Sequence, residues 1–325
     1  MSYLSALCVT DFYHKEHREV HKDHKVKMKF NFSEEVSGAL HFGRPVVALE
    51  STVIAHGLPY PQNIETAYRI ENLIRDSGAT PGTIAVFDGE VHIGLGDEHF
   101  ERLADGKDIR KLSRRDLPVV IGQRASGATT VSATAFLAHK AGIKVFATGG
   151  IGGVHRGDRT DVSADLPELA RTPIIVVCSG AKIVLDLPAT REWLETFGVT
   201  VLGWQCDEFP AFYSRSSGLA IDARVETGKD VAKIADARND WGFTSSLLVT
   251  VPVPEAQELK NSEVEPILLE SLKLAKDQGV KGKEITPFLL SQLSERSDGR
   301  TLKANIALLE NNAKVASEIA RSLNY

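Results

Sequence analysis

Residues 45–52 read Pro45-Val46-Val47-Ala48-Leu49-Glu50-Ser51-Thr52. A short apolar, β-branched run that ends at once in a carboxylate and two hydroxyls has the pattern of a strand buried on both faces and stopping at a polar edge. Outward from it, further strands are predicted over 83–87, 117–121, 144–148, 174–178, 199–202 and 246–251. The longer stretches between them carry apolar residues at helical spacing and predict helices over 63–77, 99–104, 131–141, 189–197, 231–240, 263–278, 287–295 and 302–323. Strands that alternate with helices return by right-handed crossovers, so the expected class is α/β: a three-layer α/β/α arrangement around a mainly parallel sheet. No repeat or Pro/Ser-rich linker divides residues 32–325, which predicts a single domain there, with a division into two as the alternative.

Residues 1–31 differ. They form a His/Lys-rich, charged N-terminal extension with little to bury, expected to be poorly ordered. His14, His17, His21 and His24 recur at helical steps, which fits either a metal-binding helix face or a solvated extension.

The bulk composition excludes several classes. With 325 residues, 42% of them hydrophobic, the chain can bury a large core and is not a disordered protein. Against 38 Lys and Arg stand 43 Asp and Glu, a net charge of -5, so no global field draws it to nucleic acid or an anionic membrane. No apolar run reaches the roughly 18 residues of a membrane span. Cys8, Cys178 and Cys206 are odd in number and far apart, without metal-type spacing, which suits a reducing compartment and a cytoplasmic address.

In a parallel sheet, ligands bind beyond the carboxyl ends of the strands, and the polar residues sort by that rule. Glu50 stands at such an end, as a general acid or as a carboxylate capping backbone or pairing with a surface arginine. Lys182 follows the strand 174–178 among small and apolar neighbours. Amines become nucleophilic where burial disfavours their ammonium form, although a lysine at a helix start also snorkels to water. The segments Gly127-Ala128-Thr129-Thr130 and Thr148-Gly149-Gly150-Ile151-Gly152-Gly153 offer backbone N–H groups to a phosphate or a planar base, or serve as tight turns. Neither is a dinucleotide or P-loop fingerprint. Lys111, Arg114 and Arg115 form a basic cluster suited to phosphate or to a solvated turn. Asp161, Ser163 and Asp165 alternate, and would face one way if extended, toward a hard divalent cation or ligand hydroxyls; a cap or turn is the other reading.

Taken together, Val46 to Thr52, His56-Gly57-Leu58-Pro59-Tyr60-Pro61-Gln62-Asn63, Ser113 to Asp116, Gly127 to Val131, Thr148 to Gly157, Ser163-Ala164-Asp165-Leu166 and Gly180-Ala181-Lys182 resemble, in order, the pseudouridine-5′-phosphate glycosidase family, also called indigoidine synthase A-like. The resemblance runs from about residue 33 to the C-terminus. It implies reversible conversion of pseudouridine 5′-phosphate and water to uracil and ribose 5-phosphate, a homotrimer, one Mn²⁺ or similar divalent ion per subunit, and a functional link to a pseudouridine kinase. By motif, Lys182 is the implied nucleophile at ribose C1′ and Glu50 the proton donor. Lys111, the Val131 backbone, Ser163, Ala164 and Asp165 are implied substrate contacts, as are Thr130, Thr148 and Gly149 of the family-like loops and Asn305 near the site, and Asp161 is the implied metal ligand. Residues 244–252 and Ser297-Asp298-Gly299 depart from the family pattern. Two other readings remain at this level: a different Schiff-base enzyme acting on a phosphosugar, and a nucleotide-binding protein without turnover.

Overall fold

The computed structural model describes residues 29–280, 282 and 285–324, so the four N-terminal histidines lie outside the described residues. Its strands are β1 (Phe30–Phe32), β2 (Val46–Leu49), β3 (Thr80–Phe87), β4 (Glu90–Ile93), β5 (Ile109–Leu112), β6 (Ser126–Thr129), β7 (Val145–Ala147), β8 (Val154–His155), β9 (Asp158–Val162), β10 (Ile175–Cys178), β11 (Leu185–Asp186), β12 (Thr200–Trp204), β13 (Ala223–Val225) and β14 (Leu247–Thr250). Phe30 and Asn31, on the extension side of the expected boundary, pair with β4 through β1.

Among the described residues, β1-β4-β3-β2-β7-β10-β14-β12-β13 lie side by side, and β6 joins β5 to β3. The run from β3 to β13 is parallel throughout, and antiparallel pairing enters where β3 meets β4 and β6. Every residue of β2, β7, β10 and β14 is buried. That is the consequence of covering both faces: helices Gln62–Asp76 and Arg300–Ser322 pack on one side, and helix Val131–Lys140 with helix Asp165–Leu169 on the other. The expected three-layer, mainly parallel fold is what forms.

One expected strand is a helix. Leu117–Gly122 follows a 3-10 turn whose Ser113 donates backbone N–H and hydroxyl to Asp116 at 2.8 and 2.7 Å. Pro118 sits in the first helical turn, where its missing N–H costs nothing. Leu117 and Val120 are buried while Val119 and Ile121 face water, a period of three rather than two. The strand in this region is β6, whose sequence Ser-Gly-Ala-Thr has weak strand propensity.

Candidate active site

Strand order reverses between β2 and β7: from β2 the chain continues on one side to β3, while β7 and β10 lie on the other. Leu49 is registered with Ala147, so the next residues, Glu50 and Thr148, meet at the carboxyl ends of the two strands at this switch point, where open α/β sheets form their ligand crevice. The Glu50 side chain is buried, and each of its oxygens accepts a hydroxyl hydrogen bond, one from Thr52 and one from Thr148. These two hydroxyls fix the plane of the carboxyl group.

Lys182 emerges from the neighbouring strand end. After β10 the chain turns at Gly180, whose φ of 80° is the left-handed conformation open to glycine; a Cβ there would lie 2.1 Å from the backbone oxygen of Pro210. Ile151 N–H donates to Gly180 O at 3.0 Å and Lys182 N–H donates to Ile151 O at 3.1 Å. The glycine-rich loop and the lysine segment therefore run as one hydrogen-bonded pair. Among the described residues the Lys182 side chain makes no ion pair or hydrogen bond. Lys182 lines the cleft, and no described residue there is its counter-ion.

Glu50 and Lys182 both line a cleft of about 270 Å³. Lys111, Ser113, Arg115, Thr130, Asp161, Ser163, Ala164 and Asp165 line it too, and so do Gly149, Gly150, Gly152 and Asn305. Two of the implied substrate contacts do not. Thr148 lies beneath the wall, holding Glu50, and Val131 turns its side chain into the core as the first residue of helix Val131–Lys140. The backbone N–H of Val131 stands at a helix N-terminus, a place that favours an anion.

The basic cluster is divided by geometry. Lys111 and Arg115 reach the cleft; Arg114 turns toward helix Asp165–Leu169. The acidic run is also rearranged. Asp161 lies in β9, but the strand stops at Val162 and Asp165 begins a helix, so the three residues do not share one extended face. The buried Asp165 carboxylate accepts from Ser132 N–H at 2.9 Å and from Gly152 N–H at 2.8 Å, so Asp165 ties the N-terminus of helix Val131–Lys140 to the glycine-rich loop. A Cβ on Gly152 would stand 2.1 Å from Ser163 Oγ, so that glycine serves close packing. Gly127 likewise lies inside β6, with Arg110 O at 2.6 Å from where a Cβ would be, and of its segment Thr130 alone lines the cleft.

Among the described residues no three His, Cys, Asp or Glu side chains gather as a metal cage. Asp161 and Ser163 on one cleft wall supply hard oxygen donors of the kind that hold an octahedral divalent ion together with water and substrate oxygens, so the donor set fits such an ion.

Several cleft residues escaped sequence reasoning about the site. Phe212 lines it with φ of 63°, a left-handed conformation uncommon for a side chain of this size, packed where Gly150 leaves room. Thr286, Pro287, Leu290 and Leu309 form an apolar side. They come from helices that amphipathicity alone predicts, and nothing in their spacing marks them as ligand contacts.

The family profile described as Indigoidine synthase A like protein matches residues 35–322. A pseudouridine-5′-phosphate glycosidase of Caldanaerobacter subterraneus subsp. tengcongensis is 52% identical over 296 residues, covering 90% of this chain and 96% of its own. The protein of that name from Geobacillus kaustophilus is 49% identical over 295 residues, covering 90% and 98%. Among solved structures, an indigoidine synthase A-like protein from Thermotoga maritima matches with a TM-score of 0.85 and 40% identity, covering 92% of this chain and 98% of that one. The prealnumycin C-glycosynthase AlnA, solved in complex with ribulose 5-phosphate, matches with a TM-score of 0.83 and 37% identity over 91% of this chain and 97% of that one. The chain belongs to the indigoidine synthase A-like family, the family of the pseudouridine-5′-phosphate glycosidases.

Proposed function

We propose that this chain cleaves the C–C glycosidic bond of pseudouridine 5′-phosphate, reversibly, to uracil and ribose 5-phosphate, through a covalent adduct on Lys182. The observation that carries the reading is the placement of Lys182 and a doubly hydrogen-bonded Glu50 in one cleft with Lys111 and Arg115. Relatives near 50% identity named for that activity support it.

A C-glycoside offers no leaving oxygen or nitrogen to protonate, so two carboxylates acting as in ordinary glycosidases do not suffice. The Lys182 amine attacks C1′ and the C1′–O4′ bond breaks as Glu50 gives its proton to O4′. Glu50 then takes the proton released by the alkylated nitrogen. The nitrogen lone pair forms a C1′=N iminium as the C1′–C5 bonding pair leaves with uracil, and C5 takes the proton back from Glu50. Water adds to the iminium and releases ribose 5-phosphate, and the proton set free in that hydrolysis returns to Glu50, so that Lys182 and Glu50 are both restored. Lys111, Arg115 and the amide at Val131 bind the phosphate, Ser163, Ala164 and Asp165 shape the sugar side, and Asn305 closes the opposite wall; phosphate binding supplies positioning energy remote from the reacting atoms. A divalent ion such as Mn²⁺, one per subunit and held by Asp161, would neutralise substrate charge.

The family resemblance further supports a homotrimer with a cytoplasmic address, supplied with substrate by a kinase acting on pseudouridine. No helix among the described residues is long and apolar enough to cross a membrane. The test is uracil release from pseudouridine 5′-phosphate and from uridine 5′-phosphate, with Mn²⁺ present. Release from the first alone, abolished by Lys182→Ala, is the expected result. Release from the N-nucleotide alone, or tight binding of both without product, defeats the reading.

A further inference from the structure

We propose that Asn312 is a positioning residue of the reaction centre: its one amide group sets Glu50 and Lys182 against each other and seats the helix that carries Asn305. The proposal rests on the reading above for the roles of Glu50 and Lys182, and on geometry for everything else.

Asn312 is fully buried in helix Arg300–Ser322. Its Nδ2 donates to the backbone oxygen of Thr148 at 2.8 Å and to that of Gly149 at 3.4 Å. Its Oδ1 accepts from Ser179 Oγ at 3.2 Å. Two carbonyl oxygens can only accept, so the amide nitrogen must face them and the orientation is fixed. The two ends of this bridge are the ends of β7 and β10. Thr148 is the residue whose hydroxyl holds Glu50, and Ser179 stands three positions before Lys182 across the turn at Gly180.

The same side chain registers its own helix. Asn305, Leu309 and Asn312 are spaced four and three apart and share one helix face. Asn305 and Leu309 line the cleft while Asn312 sits below it, so a shift of the amide moves the cleft wall. Around it, Leu308, Ala313 and Ala316 belong to the apolar core. Burying an amide among them is unfavourable unless its donors and acceptor are all used, and here they are. A side chain that only filled volume at this position would need none of that polarity. An aspartate could accept from Ser179 but would turn an oxygen on two carbonyls, and leucine would take the amide away from the Thr148 oxygen and the Ser179 hydroxyl, while the Gly149 oxygen keeps the Ser179 N–H at 2.8 Å.

The experiment compares full-length wild type with Asn312→Leu, Asn312→Asp and Ser179→Ala. Four quantities are read: thermal unfolding, KM, kcat per folded molecule, and amide hydrogen exchange resolved by peptide. The Asn312 variants are expected to lose roughly 10- to 100-fold in kcat with KM within about threefold, the size of effect that a displacement on the order of 1 Å produces. Exchange is expected to quicken in peptides spanning 148–152 and 179–185 and to stay unchanged in β12 and β13. Ser179→Ala, which deletes one hydroxyl, should show the same pattern at smaller amplitude. A lower melting temperature with kcat and local exchange untouched overturns the proposal, because it makes Asn312 a stability residue alone. Faster exchange with undiminished kcat also overturns it. If neither Asn312 variant folds, Ser179→Ala decides by the same readouts. Should wild type fail to cleave pseudouridine 5′-phosphate, the functional reading falls, and exchange at 148–152 and 179–185 alone decides whether Asn312 ties the two strand ends.

Discussion

Arg114 lays its guanidinium on the fully buried carboxylate of Glu168, with Nη1 at 3.0 and 3.1 Å from the two oxygens. The same carboxylate takes Arg171 at 2.8 Å and the Thr172 hydroxyl at 2.5 Å, and Arg114 also stacks over Phe136 with its Cζ 4.2 Å from the ring centroid. One arginine of the Arg114-Arg115 pair thus serves the fold and the other the cleft.

Substitution should separate those two jobs. Arg114→Gln is expected to cost about 1–3 kcal/mol of stability, since it withdraws charged hydrogen bonds from a buried carboxylate, with KM little changed. Arg115→Gln is expected to leave stability within about 0.5 kcal/mol and to raise KM about tenfold. Denaturant unfolding and initial-rate kinetics on both variants check this; the opposite assignment of effects contradicts the site described here.

Gly180 and Gly142 make a second comparison. Both have positive φ, at 80° and 84°, but a Cβ on Gly142 meets nothing within 4 Å whereas one on Gly180 strikes Pro210 O. Gly142→Ala should cost about 1 kcal/mol for its backbone conformation. Gly180→Ala adds a steric clash and should exceed about 3 kcal/mol or displace the lysine segment, with activity lost beyond the loss of folded protein. Equal effects at the two positions in unfolding experiments would show that the turn before Lys182 is slack.

Acid should weaken the edge of the sheet. His92 and His99 lie 4.7 Å apart beside Phe87. Burial lowers the pKa of both below 6.5; the neighbouring His99 adds to this for His92, and Arg102 for His99, against partial opposition from Glu90, Glu98 and Asp88. Unfolded imidazoles therefore take protons first. The stability contributed by neutral rings is complete above about 6.5 and is lost as pH falls through that value toward the lower folded pKa values. Melting temperature should decline between about pH 7 and about pH 5.5, and a His92→Asn/His99→Asn double variant should decline less. An equal decline in the variant assigns the effect elsewhere.

The cation proposal makes its own demand. Chelation should abolish turnover and Mn²⁺ restore it, and Asp161→Asn should need roughly 10- to 100-fold more metal for half-maximal activity. Titration of the metal-free protein with Mn²⁺, followed by the ion's paramagnetic resonance, gives a readout apart from activity. Unchanged affinity in Asp161→Asn would move the ion to other ligands.

Much of this was legible in the chain. Val46 to Leu49, Val145 to Ala147 and Ile175 to Cys178 are apolar without alternation because both faces are covered, and that pattern is visible in one dimension. Glu50 and Lys182 were visible because they interrupt such patterns at strand ends. Leu117 to Gly122 misled because its β-branched run is indistinguishable from a strand until the preceding cap and Pro118 are weighed. The glycines read differently: Gly127 admits neighbouring protein atoms inside β6, whereas Gly152 both packs against Ser163 and lines the cleft, and only tertiary contact distinguishes the two uses. Phe212 and Asn312 could not have been singled out, since their partners lie tens of residues or more away along the chain.

The most direct test of the central claim is borohydride reduction of the protein during turnover of pseudouridine 5′-phosphate, followed by peptide mass spectrometry. The expected result is a reduced pentose-phosphate adduct on Lys182 and none in Lys182→Ala. An adduct confined to another lysine, or full turnover by Lys182→Ala, would contradict it.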